Sequence, residues 1–573
     1  MVAGPLSSTV GATMLASVEQ VATPMRDSVL LVADLYRPPS GRAPTLLLRT
    51  PYGRRNLPEI LREVEVEPLL AAREGFAVMI QDLRGRNDSG GEFAPFVLDA
   101  SDCADTVAWI RQQPWSDGRV ATVGASYNGL VQFPGARARP EGLLAIAPTA
   151  SGRGELLLRP GGALRLWLLT LWAMLPLTEA LAGEIDAATR SEIEGLLAAS
   201  PLERFAALYD DGSAMARFAG ALRLWNLPSS DRYWTETVAP PAQPLPAVHT
   251  TGYYDVCVEG TIAAYQEWSA AADHAAPQML TLGPWDHIRA APYADLGLSS
   301  LDIPPPIMAF SRQLAFISSV LGMPGADEQG SPVMSFVLGR NRWHEGACWP
   351  PQGVSAVEMP LAVDAQGEGR LSLAATDEEH TIDYLYDPRD PVPTLGGAVS
   401  IWEIVGPLEQ VRVESRDDVL TFTSDRFDGE LEIAGAPVAS LLLSSSAPAT
   451  DFIARLTLFQ PDGRSLALVH GIWSGRLADL PGVDGYGQYR RCEIELGPIH
   501  IVLAPGQRLR LQVTSSCYPE IYPNPNTGHD LTQGPPPSVQ TAKQSLLVGA
   551  AEASSLRLPV LGSPPRQAPE ERR

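Results

Sequence analysis

Six residues, Gly124-Ala125-Ser126-Tyr127-Asn128-Gly129, set a serine in the spacing G-x-S-x-G directly after the apolar run RVATV. Small residues on both sides allow a strained turn from strand into helix that lifts the hydroxyl above a sheet. The start of the helix then offers backbone N–H groups to an oxygen that gains negative charge. A serine hydroxyl is a poor nucleophile near neutral pH and needs a base. In this kind of turn the partners follow in the order serine, acid, histidine.

Eight histidines compete for the role of base. His249 falls inside an expected strand and His274 in or at the end of an expected helix. His344, His380, His470, His500 and His529 fall near or within a β-rich second half. His287, in Gly283-Pro284-Trp285-Asp286-His287, follows a strand end, where the last partner belongs. Asp255, in Gly252-Tyr253-Tyr254-Asp255, leaves the preceding strand end and is the expected orienting acid. Asp286 competes, but a residue adjacent to the base in sequence is poorly placed to accept its ring N–H. The expected oxyanion donors are the amide of Tyr127 and the hydroxyl of Tyr52, in the loop Thr50-Pro51-Tyr52-Gly53 after an early strand. Tyr52 also reads as a packing aromatic with a wet tip.

The elements that must position these groups are α/β in texture. Residues 29–36, 45–49, 76–81 and 119–123 read as strands, and 100–112 as a helix behind a Ser/Asp start. Strand, helix, strand is the crossover unit of a parallel sheet. Residues 151–245 turn Leu- and Ala-rich without alternation, as in 163–175 and 190–197, and read as a helical insertion. The α/β texture returns at 246–350 with strands at 247–251 and 278–282. From 351 to 562, short alternating strands such as 438–444, 453–459 and 508–514 indicate a β-sandwich or jelly roll. The tail 563–573 has little apolar content and is expected to be disordered.

Composition narrows the partners. With 45% apolar and 19% charged residues over 573 positions, the chain can bury several cores and is too apolar to stay unfolded. Acidic residues outnumber basic ones, 66 to 43, for a net charge of −23, which argues against nucleic acid and favours neutral or cationic ligands. Five cysteines without a C-x-x-C pair, no basic apolar leader and no membrane-length apolar run fit a cytoplasmic protein that does not engage a membrane. No cofactor or metal is expected, and a homodimer is left open.

These residues together resemble the bacterial cocaine esterase family, in the larger group of X-prolyl dipeptidyl peptidases, α-amino acid ester hydrolases and some β-lactam acylases. The matching stretches include PMRDSVLLVADLYRP from Pro24, RTPYGR from Arg49, QDLRGR from Gln81, SGGEF from Ser89, GASYNG, GYYD and GPWDH. In the β-rich half they include YDPRDPVPTLGG from Tyr386, RDDVLTFTS from Arg416, TDFIARL from Thr450, PDGRSLAL from Pro461 and NTG from Asn526. The resemblance implies an α/β-hydrolase sheet carrying an inserted helical domain and followed by a C-terminal β jelly roll, with the active site where the three meet. It implies a triad of Ser126, Asp255 and His287 and an oxyanion hole of Tyr52 and the Tyr127 amide. Trp172 matches an aromatic of the acyl pocket, whereas Cys257 stands where the family's namesake carries a phenylalanine. Ile401 and Trp402 lie near a further lining pair, and Trp172 and Trp402 read equally well as core residues. The altered pocket argues against cocaine or a benzoyl ester as substrate.

The expected activity is hydrolysis of a neutral or cationic small-molecule carboxylic ester through an acyl-enzyme on Ser126. The same triad could serve amide chemistry, as an X-prolyl aminopeptidase or β-lactam acylase, or an acyltransferase. A glycan-binding jelly roll beside a relic hydrolase domain is the non-enzymatic alternative.

Overall fold

The computed structural model describes residues 17–568 except 39–40, 56–67, 166, 169–205, 207–230, 272–275, 288–295, 297–306, 327–329, 374–377, 400–403, 486 and 550–553. Its first half is built on a sheet of β1 (Ser17–Pro24), β2 (Leu30–Arg37), β3 (Ala43–Thr50), β4 (Ala77–Asp82), β5 (Ser116–Ala125), β6 (Leu143–Thr149), β7 (Ala247–Tyr254), β8 (Gln278–Asp286), β9 (Val333–Val337) and β10 (Arg342–Gly346). In space the order is β1-β2-β4-β3-β5-β6-β7-β8-β9-β10. The pairs from β4 through β9 are parallel, and β1, β2 and β10 add antiparallel edges.

A strand covered by helices on both faces is buried at every position and reads as a mainly apolar run and not as an alternating one. That is why APTLLLRT of β3 and AVMIQD of β4 are buried at every position. Helix α1 (Asp99–Arg111) makes the crossover from β4 to β5. After the elbow come the short helices α2 (Tyr127–Leu130) and α3 (Gln132–Ala138). Helix α4 (Val258–Ala271) joins β7 to β8, and α5 (Ile307–Val320) joins β8 to β9. The strands at 247–251 and 278–282 run further than the sequence suggested, to Tyr254 and Asp286, so Asp255 and His287 stand directly at their ends.

Most of the expected helical insertion, 151–245, lies outside the described residues. What is described there includes the short helix Gly154–Leu158 and a turn of π-helix at Tyr233–Val238, whose Tyr233 hydroxyl donates to the Pro95 carbonyl (3.1 Å).

The second half forms a mainly antiparallel 13-stranded sheet. In its strand Ser555–Leu561, Leu556, Leu558 and Val560 are buried while the residues between them are partly exposed, the alternation of a strand with one face on a core. The two halves share that core, which runs from Tyr254 and Leu282 through Leu338 to Ile433, Ile501 and Val560. They are also joined by backbone: the Leu338 amide donates to the His500 carbonyl (2.9 Å), and the Val502 amide donates to the Leu338 carbonyl (2.9 Å).

The expected disordered tail is corrected in its first half. Gln567–Ala568 forms a short strand against Arg426–Phe427, and the Asp428 amide donates to the Arg566 carbonyl (3.0 Å). Main-chain pairing of this kind needs no apolar side chain, so composition gives no sign of it.

Candidate active site

Ser126 sits between β5 and α2 with φ 58° and ψ −125°, a backbone conformation costly for any residue with a Cβ. The surroundings hold it there. Its amide donates to the Thr149 carbonyl of β6 (3.0 Å). Buried Gln132 ties the turn from beneath: its Nε2 donates to the Asn128 carbonyl (3.2 Å), and its Oε1 accepts from Thr122 Oγ1 (3.0 Å) and the Ala147 amide (3.0 Å). The glycine of the motif that follows the serine is required by space. A Cβ on Gly129 would fall 2.3 Å from Ser151 Oγ and 2.8 Å from the Thr149 carbonyl oxygen.

His287, the residue after β8, brings Nε2 to 3.0 Å from Ser126 Oγ. Its Nδ1 lies 2.8 Å from Asp255 Oδ1. Asp255, 1% exposed, also accepts from the Cys257 amide on Oδ1 (2.9 Å) and from Thr251 Oγ1 on Oδ2 (2.8 Å). Of the two candidate acids, Asp255 is the one whose carboxylate lies against the His287 ring nitrogen Nδ1. Burial of the ring works against its charged form, but the carboxylate of Asp255 outweighs this and holds His287 well above its ordinary value. Nδ1–H toward Asp255 leaves Nε2 free to accept the serine proton.

Two of the other described histidines are held by partners away from Ser126. His249 is buried in β7 with Nε2 on Gln278 (3.2 Å), and His500 bridges Ser335 (2.9 Å) and Glu432 (3.0 Å). His274 lies outside the described residues.

Tyr52 points its hydroxyl at Ser126 Oγ from 3.4 Å. Tyr127 is the first residue of α2, so its amide stands at the helix start beside the serine, while its buried ring stacks on Phe96 with centroids 4.5 Å apart. Cys257 is buried beside Asp255 and His287, its Sγ 3.9 Å from His287 Nδ1. Burial, then the nearby Asp255 charge, raises its thiol above the usual value. Trp172 and Trp402 lie outside the described residues.

Several groups that position the site do not stand out in the sequence by chemistry. Arg54 is buried and ties the Tyr52 loop to the sheet, pairing with Asp34 (2.9 Å), Asp88 (2.7 Å) and Asp82. Its own amide donates to Asp82 Oδ1 (2.7 Å). The signal available was its place at the end of the RTPYGR stretch. A cavity of about 540 Å³ also opens between α4 and the β-rich half, lined among others by Val256, Glu259, Ile262, His470, Trp473 and Glu495.

A serine bridged through an imidazole to a buried carboxylate, at the ends of successive parallel strands, places the chain among the hydrolases of the α/β-hydrolase fold. The sequence pattern of the X-Pro dipeptidyl-peptidase S15 family matches residues 27–289, and that of the X-Pro dipeptidyl-peptidase C-terminal non-catalytic domain matches 324–557. The cocaine esterase of Rhodococcus sp. (strain MB1 Bresler) is 32% identical over 94% of this chain and 98% of its own. The chain therefore belongs to the cocaine esterase family of serine ester hydrolases. The fold is shared with an aminopeptidase from a marine sediment Thaumarchaeota archaeon (TM-score 0.78, 21% identity, 98% of this chain and 99% of that one). It is shared also with an α-amino acid ester hydrolase (TM-score 0.73, 22% identity, 97% and 98%).

Among the described residues no helix is long and apolar enough to cross a membrane.

Proposed function

We propose that the chain hydrolyses small-molecule carboxylic esters, neutral or cationic, through an acyl-enzyme on Ser126, with His287 as base and acid and Asp255 as orienting carboxylate. The observation that carries this reading is the continuous path from Ser126 Oγ through the imidazole to Asp255, with contacts of 3.0 and 2.8 Å. Nε2 of His287 takes the hydroxyl proton as Oγ bonds to the ester carbonyl carbon. The resulting oxyanion is met by the Tyr52 hydroxyl and the Tyr127 amide. His287 then gives the proton to the departing alkoxide, and the C–O bond to the alcohol breaks. Water repeats the sequence: His287 takes its proton, the hydroxide adds to the acyl carbon, and Ser126 leaves with that proton as the acid is released.

Cys257 is assigned to the acyl side of the pocket, on its contact with His287. The net charge of −23 supports the preference for neutral or cationic substrates. The cytoplasmic reading is supported by five unpaired cysteines. The β-rich half is taken to be a jelly roll that closes one wall of the cleft. Ser126→Ala is expected to abolish turnover of an aryl ester and labelling by a fluorophosphonate. Full activity in that variant would end the proposal.

A further inference from the structure

Within the described residues one group of three side chains offers a complete small set of metal donors: a carboxylate oxygen of Asp255, Sγ of Cys257 and a ring nitrogen of His287, all within 4.8 Å of one another. Nδ1 and Asp255 Oδ1 are 2.8 Å apart, and Nδ1 and Sγ are 3.9 Å apart. In a tetrahedral zinc site, with Zn–N near 2.0 Å and Zn–S near 2.3 Å, such pairs stand at about 3.3 Å for N and O and about 3.6 Å for N and S. The N–O pair therefore needs to open, and the N–S pair to close, by only a few tenths of an ångström, with the carboxylate oxygen and Sγ already within 4.8 Å of each other. All three residues belong to segments fixed by β7 and β8, and Asp255 keeps its Thr251 contact on the other oxygen.

We propose that Asp255, Cys257 and His287 form an inhibitory site for a thiophilic divalent cation such as Zn2+, an inference that rests on His287 being the catalytic base. One thiolate, one imidazole and one carboxylate suit Zn2+ or Co2+ and not Mg2+ or Ca2+, which want oxygen donors. Binding to the neutral ring releases one proton, that of the thiol, while the ring proton passes through solvent from Nδ1 to Nε2, and solvent completes the coordination. An imidazole coordinated through Nδ1 carries its proton on Nε2, so it faces Ser126 as a donor and cannot take the hydroxyl proton. Cys257 is what turns a hydrogen-bonded pair into a three-donor set.

The test uses the full chain. Micromolar Zn2+ should inhibit aryl-ester hydrolysis, EDTA should restore it, and Cys257→Ala should need at least ten-fold more Zn2+ for half-inhibition, each protein being referred to its own metal-free rate. Ser126→Ala, which keeps all three donors, should show a thiolate-to-cobalt charge-transfer band on titration with Co2+, and the double variant with Cys257→Ala should lack it. Circular dichroism checks that each variant is folded, with Cys257→Ser in place of Cys257→Ala if the latter is not. Equal inhibition with and without Cys257, or a cobalt band that does not depend on it, overturns the site. Esterase activity surviving in Ser126→Ala would overturn the proposed function instead and leave the cobalt result standing.

Discussion

The hydroxyl of Tyr52 stands 3.4 Å from Ser126 Oγ across 74 residues of sequence. It is held there by the neighbouring Arg54, which locks its loop to three carboxylates, Asp34, Asp82 and Asp88. An oxyanion donor acts only when aimed before the charge appears. Tyr52→Phe is therefore expected to lower kcat by about two to three orders of magnitude with little change in KM. Steady-state kinetics on an aryl ester check this, and an unchanged kcat would return Tyr52 to the packing role its side chain also suits.

Asp255→Asn keeps the shape of the carboxyl but offers His287 an acceptor or a donor of uncertain aim. The expected loss in kcat is on the order of 10⁴-fold, the size seen when a triad carboxylate becomes an amide. Fluorophosphonate labelling should slow in parallel.

The pH profile should carry the mark of the same pair. His287 works as a base only when neutral, and Asp255 keeps it protonated to a pH well above the ordinary 6.5. The acidic limb of kcat/KM should accordingly have its midpoint above 6.5, and in Asp255→Asn it should move down. A midpoint that ignores the substitution would remove His287 from the rate equation.

Gly129→Ala puts a Cβ 2.3 Å from Ser151 Oγ and 2.8 Å from a backbone oxygen. Since β6 cannot retreat without opening the sheet, about 1–3 kcal/mol of stability should be lost. A lower urea midpoint with an unchanged slope is the expected result, accompanied by weaker activity as the elbow is pushed out of line.

Glu259 lines the cavity between α4 and the β-rich half, and burial lifts its carboxyl from 4.5 to about 6. Between those two pH values the folded chain holds a proton that the unfolded chain has released, so stability falls as pH rises through that window. Glu259→Gln cannot ionise and should raise Tm at pH 7 relative to the parent, with the gain vanishing near pH 4. A Tm difference that is the same at both pH values would show that the charge is not what matters there.

Much of this site could be read before any coordinates because its parts obey strong local rules. Strands β3 and β4 are mainly apolar and buried at every position since both faces are covered, and the motif around Ser126 needs its glycines for lack of room. Asp255 and His287 stood out by lying at successive strand ends in the right order. What was illegible depends on pairs of residues that only folding brings together. No spacing rule links Arg54 to Asp34 and Asp82, or Thr251 to the back of Asp255. His500 belonged to the pool of candidate bases until its ring was found between Ser335 and Glu432. The strand Gln567–Ala568 escaped notice because main-chain pairing leaves no trace in composition.

The backbone bonds between Leu338 and the segment around Ile501 bear on how the chain is made. Leu338 is fully buried, yet the partners of its amide and carbonyl are translated more than 160 residues later. At about 5–20 residues per second a ribosome needs roughly 8–30 s to supply them. During that interval the hydrolase sheet has been synthesised as far as β10, with an unpaired, apolar seam in water. Chaperone dependence and aggregation during expression should therefore centre on this seam, and chains cut off before Ile501 should fare worse than either the complete chain or one trimmed at its tail.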